Sequence, residues 1–162
     1  MGHSFFIIDI EGKRIVIDPV FDNASPIPFT YKRFQKVPIE RENLPDIDII
    51  LITHNHYDHL EKKTIKYLYK KNIIFIVPRG VDKYLINFGC PKEKIVVMDW
   101  WDKFLYKDLE INMTPSQHFS RRKLNDLNKS MWCSYSLIGK NKKVFFSGDG
   151  GYGKHFKKIG ER

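Results

Sequence analysis

A chain of 162 residues with 42% hydrophobic and 14% aromatic content is long enough to bury a substantial core, which excludes a disordered or low-complexity segment. Its formal net charge of +9 comes mostly from lysine and is spread along the chain, as on a solvated surface, though it suits an anionic substrate, a phospholipid surface or nucleic acid equally well. No apolar run approaches the roughly 20 residues that span a bilayer. The two cysteines, Cys90 and Cys133, have no C-x-x-C spacing, and without a signal peptide they point to a reducing cytoplasm.

In chain order, residues 4–10 and 14–17 are β-rich and flank Glu11-Gly12-Lys13, a hairpin signature ended by Asp18-Pro19. From Pro19 to Pro45 the chain holds five of its eight prolines and little periodicity, which reads either as an active-site wall or as a plain surface loop. A buried strand is expected over 47–53, then a helix over 60–71 with Leu60, Thr64, Ile65 and Leu68 on one stripe. A strand over 73–77 follows, and Val81, Tyr84, Leu85 and Phe88 mark a second helix closed by Gly89. With a strand over 95–98, this order argues for an α/β layer. Beyond Asp99-Trp100-Trp101-Asp102, where the tryptophans read as packing residues, the pattern turns to consecutive strands over 103–106 and 109–113. A polar loop over 114–130 carries His118, a hairpin spans 132–147, and a glycine-rich turn holds Asp149.

Half of the six histidines fall in Leu51-Ile-Thr-His-Asn-His-Tyr-Asp-His-Leu60. His54, His56, Asp58 and His59 cannot all be absorbed by a packed core, because imidazoles need hydrogen-bond partners and a buried carboxylate needs a paired charge. A divalent metal supplies both, and on a strand tip His54 and His56 point to one face. The bland alternative is a polar loop at a strand end.

The segment His54-Asn55-His56-Tyr57-Asp58-His59 resembles the H-x-H-x-D-H signature of the metallo-β-lactamase fold. Asp99-Trp100-Trp101, Thr114-Pro115-Ser116-Gln117-His118-Phe119-Ser120 and Phe146-Ser147-Gly148-Asp149-Gly150-Gly151-Tyr152 resemble its N-acylphosphatidylethanolamine-hydrolysing phospholipase D branch and bacterial relatives. The resemblance implies an α/β fold, an αββα sandwich with a metal site at the edge of its two sheets. By the family pattern His54, His56 and His118 form one zinc site, Asp58 and His59 belong to a second, and Asp149 bridges them. It further implies a zinc-dependent phosphodiesterase in which a metal-bridging hydroxide attacks phosphorus and Asp58 orients it or relays its proton.

Arg121, Arg122 and Lys123 follow His118, and Arg122 reads either as a substrate-phosphate clamp or as part of a solvated run. His3, in Gly2-His3-Ser4, reads as structural, and His155 as a surface residue. Three departures stand out: Gly150 replaces the usual hydroxyl residue, a further strand usually precedes Gly2, and a later histidine usually completes the second site. By the resemblance, residues 1–162 read as one partial domain, truncated at both ends, with a second zinc site short of one ligand. The expected substrate is a phosphodiester or phospholipid met in the cytoplasm or at a membrane surface. The alternatives are a lactonase-like hydrolase, an inactive remnant and, on charge alone, a nucleic-acid binder; no nucleic-acid module is visible, and oligomeric state is not legible.

Overall fold

The computed structural model describes residues 3–23, 25 and 35–162. Four strands with apolar residues on both faces build most of the first sheet, because each must pack against a layer on either side. Its order is β1 (Phe6–Ile10), β2 (Lys13–Ile17), β3 (Ile49–Leu51), β4 (Ile74–Pro78), β5 (Ile95–Met98), with β1 antiparallel to β2 and the remaining pairs parallel. Glu11 and Gly12 both take positive φ, the mirror-image turn that matches the twist of a tight hairpin.

Alternation sorts the side chains. Val16, Ile50, Phe75 and Val77 face α1 (Lys62–Leu68) and α2 (Asp82–Asn87), meeting Ile65, Leu68, Val81 and Leu85 in one core. Ile15, Ile17, Ile49, Leu51 and Ile76 face the other way, against a second sheet. That sheet is antiparallel, with order β6 (Lys103–Tyr106), β7 (Leu109–Thr114), β8 (Ser134–Ile138), β9 (Lys143–Phe146), and supplies Leu109, Ile111, Met113, Tyr135 and Leu137. On β9, Phe145 meets Phe156 of α3 (His155–Gly160) with ring centroids 5.9 Å apart. The layers thus run helix, sheet, sheet, helix, as the resemblance implies.

The expected elements all form, but several have shorter bounds than their apolar patterns suggest, among them the strand expected over 47–53, which forms over Ile49–Leu51. The first helix starts at Lys62, not Leu60, because the Leu60 amide closes a tight turn on the His56 carbonyl. Strand β8 starts at Ser134 because the Cys133 amide donates instead to the Thr53 carbonyl, in the loop after β3. Trp100 packs in the inter-sheet core and its indole nitrogen donates to the Trp132 carbonyl. Of the proline-rich stretch, residues 24 and 26–34 lie outside the described residues, and with them most of the expected wall or loop.

Candidate metal centre

Strands β2 and β3 end side by side, and the chain beyond β3 turns into the loop 53–61. The buried Asp18 carboxylate, just past β2, anchors that loop: it accepts from the Thr53 amide at 2.8 Å, from the Thr53 hydroxyl at 2.6 Å, and bonds His59 Nδ1 at 2.7 Å. From the residue just before β8, the Cys133 amide donates to the Thr53 carbonyl at 3.0 Å. The ligand-bearing loop is therefore stitched to both sheets at its first residue.

Two clusters of donor atoms result. His54 Nε2 lies 2.8 Å from His56 Nδ1, and His118 Nε2, at the end of β7, lies 3.2 and 3.3 Å from those two nitrogens. Nitrogens held about 2.0–2.1 Å from one ion in tetrahedral array stand about 3.3–3.4 Å apart, so this convergence fits a metal far better than it fits three mutually hydrogen-bonded rings. His54 Nδ1 is taken by the Thr53 hydroxyl at 2.9 Å, which turns Nε2 toward the cluster. Phe119 packs edge-on to His56, with ring centroids 4.8 Å apart.

The second cluster joins His3, Asp58, His59 and Asp149, whose donor atoms all lie within 4.8 Å of one another. His59 Nε2 stands 3.1 Å from Asp149 Oδ2 and 3.9 Å from Asp58 Oδ2. His3 Nε2 bonds Asp58 Oδ2 at 2.8 Å, while the Ser4 hydroxyl donates to the Asp58 carbonyl at 2.9 Å. The sequence expectation leaves this pocket one histidine short; His3, read as structural, stands in it. The clusters adjoin, since the His54 and His59 rings are 4.0 Å apart. Hence the structure brings His54, His56 and His118 together, and Asp58, His59 and Asp149 beside them, while His155 belongs to neither group.

Asp149 reaches the site on a glycine turn. Gly148 has φ of +57°, which a side chain rarely tolerates. A Cβ on Gly150 would run into the Ser116 hydroxyl and press on the Ser147 carbonyl, so a side chain at 150 requires the serine hydroxyl to turn away. This is a physical reason for the glycine where the family pattern has a hydroxyl residue.

Charge separates the two pockets. Burial, reinforced by neighbouring imidazoles, pushes the His54 pKa far below its ordinary range, and burial also lowers those of His56 and His118. These rings are neutral at pH 7 and offer free lone pairs. His59 is opposite in sign: burial opposes its charge, but the Asp18 and Asp149 carboxylates outweigh that and raise its pKa to about 10. The His59 hydrogen bond in turn lowers the Asp149 pKa. A raised folded pKa means that this charge stabilises the metal-free chain fully below the ordinary value of 6.5 and that the contribution is lost as pH rises through about 10. Thermal unfolding of the chelator-treated chain should therefore show a midpoint that falls from pH 7 to pH 10. Asp18→Asn should flatten that fall, and an equal fall in both proteins would remove His59 as its cause.

Arg122 is not directed at open solvent. Its Nη1 donates to the carbonyls of Asn55, His56 and Leu60 at 2.9, 3.3 and 2.8 Å, and its guanidinium lies 3.9 Å from the Tyr57 ring centroid. The sequence offered it as a phosphate clamp; the geometry places it under the metal loop, bridging the loop's two ends. Asp18 and His3 are the residues that sequence reasoning missed. The available signal for Asp18 was a carboxylate closing the strand before the ligand-bearing one, and for His3 a histidine next to a serine just ahead of β1.

The sequence profile of the beta-lactamase superfamily domain matches residues 13–162. An uncharacterized protein of Mycobacterium tuberculosis is 36% identical over 98% of this chain and 43% of its own length. The N-acyl-phosphatidylethanolamine-hydrolyzing phospholipase D 1 of Caenorhabditis elegans is 34% identical over 100% of this chain and 49% of its own length. The chain thus spans less than half the length of these curated relatives. Among solved structures, an isothiocyanate hydrolase from Delia radicum gut bacteria superposes with a TM-score of 0.77 at 23% identity, covering 99% of this chain and 66% of that one.

Proposed function

The chain belongs to the beta-lactamase superfamily, and from that premise we propose that it is a zinc-dependent hydrolase that cleaves a phosphodiester of an N-acylated phospholipid on the headgroup side. The observation that carries this reading is the convergence of His54 Nε2, His56 Nδ1 and His118 Nε2 beside a second four-donor cluster. Imidazole and carboxylate donors in these numbers suit zinc. The roughly one-third identity to a phospholipase D supports the phospholipid substrate.

Two ions bound there would supply a water activated near neutral pH and neutralise charge on the phosphoryl oxygens. His54, His56 and His118 would hold one ion, and His3, Asp58, His59 and Asp149 the other. The Ser4 hydroxyl pins the Asp58 backbone carbonyl and the His3 imidazole lies against its carboxylate, so that carboxylate is placed to take a proton from the attacking water. In the overall step one P–O bond forms to that water and the P–O bond to the headgroup alcohol breaks, while the proton passes to the departing alcohol. The zinc-loaded protein incubated with N-acyl-phosphatidylethanolamine should release phosphatidate and the N-acyl amino alcohol in equal amounts. Acyl-side cleavage, or no cleavage by protein that retains its metal, would contradict the reading.

A further inference from the structure

Between β7 and β8 the chain forms a loop whose inward groups are committed to its shape. Ser120 and Asn128 close it, the Asn128 amide donating to the Ser120 carbonyl at 2.8 Å and the Ser120 amide to Asn128 Oδ1 at 3.2 Å. The buried Asp126 carboxylate accepts from the amides of Arg122 and Lys123 at 2.8 and 2.7 Å and from the Tyr84 hydroxyl at 2.7 Å. The outward groups are different. Leu124 is 92% exposed, Leu127 55% and Phe119 45%, and they are interleaved with exposed Arg121, Lys123 and Lys129. The loop's sole carboxylate, Asp126, is buried, so the outer face is apolar and cationic with no exposed acid.

We infer that residues 119–129 form a lipid-docking loop, in which Leu124 and Leu127 insert among the headgroups of an anionic bilayer and Arg121, Lys123 and Lys129 meet its phosphates. The inference rests on the phospholipid reading above. Exposed apolar side chains grouped on one loop and rimmed by polar groups fit an interaction surface, and cations beside them favour an anionic lipid surface. A protein partner is a poorer fit, because a stable interface takes about 20–30 residues a side and this loop offers a handful. A second copy would bring three cations against three. The position is apt: Phe119 packs edge-on against His56 and tilted against His118, with centroids 4.8 and 4.9 Å away, so a docked loop sets the metal centre against the headgroup plane.

The test is co-sedimentation of the full chain with vesicles of phosphatidylcholine, with and without phosphatidylglycerol, alongside turnover of a water-soluble phosphodiester. The wild type should pellet with the anionic vesicles only. The double variant Leu124→Ser/Leu127→Ser should lose at least about tenfold in partition coefficient, since each leucine contributes apolar area, with turnover of the soluble diester and thermal midpoint unchanged. Lys123→Ser/Lys129→Ser should weaken binding and its salt dependence together. Equal partition of the wild type and the leucine variant would overturn the inference. So would self-association that light scattering detects in the wild type and the leucine variant abolishes. Failure of the soluble diester to react speaks against the hydrolase reading and leaves vesicle binding to be read by itself.

Discussion

Replacing His56 by alanine should strip the first ion and abolish hydrolysis together. Its Nδ1 is one of three imidazole nitrogens that meet at 2.8–3.3 Å, and no other described donor in that cluster can take its place. Losing an outer partner of a ligand costs about 10–100-fold in metal affinity, so losing the ligand itself should exceed about 100-fold. His118→Ala removes a nitrogen held on the loop after β7 and should reproduce the effect, which separates ligation from local damage to the loop 53–61. The check is zinc content after dialysis beside turnover. A His56→Ala protein that keeps its zinc would remove this residue from the ligand set.

The second large effect is predicted for Arg122→Ala, a substitution that touches no metal ligand side chain. It removes a cation from three loop carbonyls and from the Tyr57 ring, and leaves those carbonyls partly buried without their donor. Bonds to a charged donor are worth about 1.5–3 kcal/mol each where they replace water, and three that share one nitrogen are not additive. A loss of about 2–4 kcal/mol of stability is expected, with metal affinity weakened about 10–100-fold as the loop loses its brace. Arg122→Lys should recover only part, because an ammonium cannot stack on Tyr57 while spanning the same carbonyls. Titration with a chromogenic chelator decides the matter. Unchanged zinc affinity with weakened substrate binding would return Arg122 to the phosphate-clamp role that its place after His118 suggests.

Much of this architecture is legible in the sequence because it is local. The alternation that buries Ile49 and Leu51 on one face and Ile50 and Ile52 on the other is a two-residue period. His54, His56, Asp58 and His59 announce themselves by proximity, and His118 and Asp149 by the motifs around them. What stays hidden is the support. Asp18 meets His59 across 41 residues, His3 meets Asp58 across 55, and Arg122 reaches Leu60 across 62. Each of these residue types is common at turns or surfaces, so only the packing of β1, β2 and the loop after β7 against the metal loop reveals their tasks. The same holds for Gly150, whose reason is the serine at 116.

Zinc content per chain at defined free zinc is the sharpest test of whether the two adjoining donor clusters hold two ions. One ion should be retained through dialysis by the three-histidine cluster and a second should bind as free zinc is raised, with His56→Ala losing the first and Asp58→Ala losing the second. A chain that retains no zinc at any concentration, or whose content is indifferent to both substitutions, would contradict two-ion binding by these clusters.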